Sequence, residues 1–185
     1  MVHGLAPLTA ACALMAACSA ASSAQATIRQ YSYDPADAGT RLAAGGVTFM
    51  VNQTLLGGVR VLKMRATEAK ATADLERVDQ GVLGQGGFAR AVGRDAPENA
   101  LYQIRSSAEG PAFVAALCPG SKRAWVALSP VGYGEDLQAV VIGDDPSGGP
   151  ARKCRALAFT FRGEWRLPAG SPPPTEAQEP PDFPN

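Results

Sequence analysis

Between Cys154 and Arg162 the chain alternates strictly, with Leu157, Phe159 and Phe161 on one parity and Ala156, Ala158 and Thr160 on the other. A period of two is the signature of a β-strand with one face against a core. It limits the chain to folds in which sheets carry the core. Trp165 and Leu167 continue the parity of Phe161, and Trp125, Phe159, Phe161 and Trp165 are expected in that core. The same pattern recurs in short runs. Val47, Phe49 and Val51 share one face of a strand over Gly46–Asn52, and Gly57-Gly58 turns the chain into a returning strand over Val59–Ala66, a hairpin.

Further strands are predicted over Thr27–Tyr33, around Ala73–Val78, and over Ala100–Arg105, Arg123–Leu128 and Leu137–Ile142. Two helices are predicted. One covers Gly87–Val92 and stops at Gly93; the other opens at Gly110-Pro111 and runs to Cys118 before Pro119-Gly120, with a strand as the alternative because so short an apolar run fits both periods. The expected fold class is α+β, predominantly β: an antiparallel sheet or small sandwich with one or two short helices.

The ends of the chain differ from its middle. Leu5–Ala17 is apolar and uncharged, too short to span a bilayer, and is followed by Ala24-Gln25-Ala26, so residues 1–26 are expected to be a cleaved signal peptide. Leu14-Met15-Ala16-Ala17-Cys18 offers a competing cut that would leave Cys18 for lipidation and anchor the protein in the cell envelope. Residues 168–185 hold seven prolines and three acids without a base, the composition of a disordered tail. Residues 27–167 then form a single domain. Its 17 bases against 14 acids are too balanced to argue for nucleic acid or anionic lipid, and no nucleic-acid partner is expected. Arg outnumbers Lys by 13 to 4, which suggests a bacterial, GC-rich source.

Cys118 and Cys154 are the two cysteines left in the domain, and an oxidising compartment favours a bridge between them. The loop-entropy relation sets its contribution at about 3.8 kcal/mol. The only histidine is His3, inside the expected leader. Without imidazole the domain can assemble neither a Ser-His-Asp or Cys-His nucleophile nor a His-based metal site, so no catalytic residue, metal ligand or cofactor is assigned.

Weaker patterns have ordinary readings. Gly84-Gln85-Gly86-Gly87-Phe88-Ala89 has dinucleotide-loop spacing but reads as a glycine turn. Asp144-Asp145, with Glu135-Asp136, could offer oxygens to calcium but reads as turn chemistry. Asn52-Gln53-Thr54 matches a glycosylation sequon by pattern alone. Arg152, Lys153 and Arg155 form the densest basic group, a candidate patch for an anionic glycan or lipid head group, but read first as a solvated strand edge charged against aggregation. The expected function is that of an exported bacterial envelope protein, a non-enzymatic binding or accessory domain that docks a protein or glycan; a secreted-hydrolase inhibitor is one version. The alternative is a hydrolase or transferase working with carboxylates only. A membrane becomes a partner only through lipidation at Cys18.

Overall fold

The computed structural model describes residues 27–53, 58–93, 99–106 and 109–166. Eight strands follow one another: β1 (Thr27–Pro35), β2 (Val47–Gln53), β3 (Val59–Ala66), β4 (Ala71–Arg77), β5 (Ala100–Ile104), β6 (Ala124–Leu128), β7 (Leu137–Gly143) and β8 (Arg152–Arg166). Each pairs antiparallel with the next, and β8 returns to pair with β1 in a closed up-and-down barrel. Among the described residues, three short helices lie in the connections: α1 (Ala38–Ala43) after β1, α2 (Gly87–Val92) after β4 and α3 (Gly110–Leu117) after β5. A 3-10 turn over Gln80–Leu83 precedes α2.

The open sheet or small sandwich with one or two helices is therefore corrected to a closed barrel with three. Alternation tells which side chains are buried, and an inward-facing set looks the same in a sheet, a sandwich or a barrel. What decides between them is whether the first and last strands meet, through pairs such as Tyr31 with Glu164 and Tyr33 with Phe161. Closure removes the two unpaired edges that an open sheet would expose.

An eight-stranded barrel has an interior just wide enough for side chains to fill. Here Tyr31, Tyr33, Phe49, Met64 and Phe159 are packed among small Ala66, Ala71, Ala73, Ala124 and Ala139. Tyr33 meets Phe49 and Phe161 edge-on, at ring-centre distances of 5.9 and 5.6 Å. Each such aromatic contributes roughly 1.5–3 kcal/mol by leaving water. α3 closes one end of the barrel with Phe113, Val114 and Leu117. Gly110 lets α3 start there, because a Cβ at that position would run into the Arg105 carbonyl oxygen. At the opposite end, β1 begins and β8 finishes.

The strands do not pair along their whole lengths, and polar groups from the connections fill the gaps. β8 pairs with β7 over Arg152–Phe159 and with β1 over Phe159–Arg166. Where β1 stops, the Ala36 N–H reaches the Ala158 carbonyl and Thr40 Oγ1 of α1 accepts the Ala158 N–H, at 2.9 and 3.0 Å. β5 covers only Leu75–Arg77 of β4, and the Glu109 carboxylate at the start of α3 takes the Thr72 N–H.

A second apolar cluster lies outside the barrel. Leu101 of β5, Trp125 and Ala127 of β6, and Val140 and Ile142 of β7 face outward and are covered by Leu83, Phe88 and Ala91. All five residues of β6 are buried for this reason: burial on both faces turns alternation into a continuous apolar run.

Among the described residues, three bulges break the register. One in β3 leaves Leu62 without an opposite residue, one in β8 does so for Cys154, and a second in β8 does so for Arg162. The expected leader 1–26 with Cys18, the expected tail 168–185, Leu167, and Gly57 of the predicted turn lie outside the described residues.

Candidate functional site

The bulge at Cys154 makes the disulfide. By simple alternation Cys154 would share the outer face of Ala156 and Ala158; the extra residue turns it toward the core, where it bridges Cys118 at a Cα–Cα distance of 5.3 Å. Cys118 is the C-cap of α3, so the bridge ties the end plug to β8. The predicted pairing is observed. Gly143 sits beneath it, and a Cβ there would overlap Cys118 Sγ and Ser121 Oγ. Ser121 Oγ donates to the Asp144 carbonyl at 2.7 Å.

Arg152, Lys153 and Arg155 adjoin this junction and stand on different sides of the strand. Arg152 donates through Nη2 to the Pro119 carbonyl at 2.7 Å and lies 3.4 Å from Ser121 Oγ, so its guanidinium holds the loop after α3. Lys153 stands opposite outward-facing Ile142, and Arg155 opposite inward-facing Val141. Both are exposed, but the bulge between them sends them in different directions.

The candidate calcium carboxylates are also separated. Glu135 and Asp136 precede β7, whereas Asp144 and Asp145 follow it; the strand puts about 25 Å between the pairs. Asp136 Oδ1 accepts the Phe161 N–H at 3.1 Å. Asp144 Oδ1 accepts the amides of Lys122 and Arg123 at 2.9 and 3.0 Å. Burial opposes the charged form of Asp144, but these amides and the Arg123 guanidinium outweigh it and lower its pKa. Asp145 is lowered by the Ser147 hydroxyl and amide. These are turn and loop ties, and among the described residues no group of His, Cys, Asp and Glu is arranged to hold a metal.

The Gly84–Gly86 loop connects the 3-10 turn to α2, with φ of 77° and 66° at its two outer glycines. A dinucleotide site would need a buried strand before it and a long helix after it; here a 3-10 turn precedes it and α2 has six residues. Hollows of about 310 Å³ beside this loop and about 390 Å³ between Arg77 and Leu101 are open to solvent. The one carboxylate lining them, Asp79, accepts the Gly81 N–H at 2.7 Å.

The feature that sequence reading missed is on the opposite wall. The bulge at Arg162 reverses parity in the last turns of β8. Glu164 points inward and pairs with Arg29 at 2.8 Å, while Trp165 points out and is 61% exposed. Its expected place in the core is thus corrected. Across the outer face Trp165 stands opposite Gln30 of β1, Gln30 opposite Met50 of β2, and Met50 opposite Lys63 of β3. In the next row Ile28, 41% exposed, stands opposite Asn52, and Asn52 opposite Arg60. Tyr133, 70% exposed, lies in the β6–β7 connection at the same end of the barrel and packs on Phe161 at 5.3 Å. No period shorter than the bulge itself announces this face, so alternation could not find it.

Comparison of the chain with protein-family models, with curated proteins and with solved structures returned no match in any of the three.

Proposed function

We propose that this chain is an exported envelope protein acting as a non-enzymatic binding domain, and that it docks its partner on the outer wall formed by β8, β1 and β2. The observation that carries this reading is Trp165. A tryptophan ring held mostly in solvent is the kind of side chain that anchors contact surfaces. It is held there by a bulge, a device that re-aims side chains. The filled interior supports recognition on the outside of the wall, and the Cys118–Cys154 bridge accords with an oxidising compartment. No helix among the described residues is long and apolar enough to cross a membrane.

The test is cross-linking in the native envelope from a photoreactive residue at position 165, with exposed Gln138 of β7 as the control position. A discrete adduct from 165 that is absent from 138 is expected. Equal or no labelling from the two positions overturns the assignment of this wall.

A further inference from the structure

We propose that the wall carrying Trp165 binds an acidic polysaccharide, a proposal that rests on the docking reading above and names its partner. Three strips of different chemistry lie side by side on it. The first is apolar: Trp165 with Ile28 one row away on the neighbouring strand, within diagonal reach for an indole. An exposed indole offers a flat face to the C–H face of a pyranose ring while its N–H remains available to a hydroxyl.

The second strip, across β1 and β2, is uncharged and mostly polar, with Met50 the apolar residue in its middle. Gln30, Ser32, Thr48 and Asn52 face outward there, and the Ser32 and Thr48 hydroxyls lie 3.0 Å apart. Amides and hydroxyls both donate and accept, as sugar hydroxyls do. Asp34, the one acid on this face of β1, lies at its far end and is paired with Arg162 at 3.3 Å.

The third strip is cationic. Arg60 and Arg65 of β3 stand opposite Asn52 and Thr48. Both are exposed, and neither guanidinium has an acceptor among the described residues, whereas Lys63 between them is held by Asp74 at 3.2 Å. Free guanidinium forks suit carboxylates. Three strand spacings separate β8 from β3, about 14 Å, so an oligosaccharide laid across the wall meets the indole, the amides and the guanidiniums in turn. A lipid surface would favour cations around the aromatic ring; here neutral amides stand between them.

The test uses the mature chain with Trp125→Phe, which leaves Trp165 as its one tryptophan. The probes are hexagalacturonate, maltohexaose of equal length, and vesicles of phosphatidylglycerol. Hexagalacturonate is expected to shift Trp165 emission, to bind at least about tenfold more tightly than maltohexaose, and to weaken with added salt. Arg60→Gln with Arg65→Gln should weaken it about tenfold or more at unchanged melting temperature, and Trp165→Ala should do the same by calorimetric titration. Equal binding of the two sugars, no effect of the arginine pair, or binding to vesicles alone overturns the proposal. If hexagalacturonate fails to bind while cross-linking from position 165 still gives its adduct, the glycan assignment falls and the docking wall stands.

Discussion

At Gly143 the hydrogen in place of a side chain leaves room for Cys118 Sγ and Ser121 Oγ. Gly143→Ala should therefore force the end plug off the barrel rim and destabilise the fold by about 1–3 kcal/mol, the usual cost of overpacking, read as a lowered denaturation midpoint. Gly84, where nothing lies near a Cβ but φ is 77°, isolates the separate effect of a left-handed backbone. Asp144 gives a second residue-scale expectation. Its folded pKa lies below the ordinary value, so its contribution is present above the unfolded carboxylate pKa and is lost as pH falls through the folded one. The melting temperature should hold from about pH 7 to pH 5 and drop below about pH 4. Asp144→Asn should flatten that drop, and an unchanged acid limb would show that Lys122 and Arg123 do not hold the carboxylate.

Among the elements, β8 depends most on its irregularities. Deleting Arg162 would remove the bulge and leave Phe161, Gly163, Glu164 and Trp165 in plain alternation opposite the same residues of β1, so Glu164 stays inside against Arg29 and Trp165 stays outside. With Trp125 replaced by Phe, the deletion variant should fold with Trp165 emission still in the red-shifted, solvent-exposed range; emission moving to the buried range would disprove the parity reversal. The same bulges explain what could be read in advance. β3, α2 and the helical opening at Gly110-Pro111 follow local rules of turn, cap and period, and the observed elements agree with them. β4 begins two residues before the expected start, because Ala71 and Ala73 are small interior residues with weak strand preference. α1 went unpredicted: its six residues rest on the Asp37 cap, whose side chain accepts the Thr40 amide at 2.8 Å, and on Thr40 bonded to β8. The cysteine pair was legible from composition. The docking wall was not, since it arises from an extra residue that no periodicity encodes.

For the molecule as a whole, closure makes a connectivity prediction. β1 and β8 are hydrogen-bonded neighbours, with Arg29 opposite Arg166, so a short linker can join them. A circular permutant joined there and opened within the Asp145–Gly149 turn should fold to the same barrel, retain the Cys118–Cys154 bridge and keep near-native circular dichroism. An open sheet or a sandwich with distant terminal strands would not tolerate this exchange. Failure of the permutant alongside a folded linker-only control would count against the β1–β8 pairing.

That pairing also sets the order in which the structure can be completed. Every other strand contact joins consecutive elements and can form as the chain emerges, but the last joins residues more than 120 positions apart, such as Tyr33 and Phe161. Long-range pairing of this kind is slow, because the ends must be gathered before any contact rewards them. A nascent chain stopped anywhere before β8 carries two exposed strand edges and an unsealed aromatic interior, the conditions for aggregation. The barrel is thus a latch that β8 alone can shut, and until that strand is in place the first seven keep two open edges.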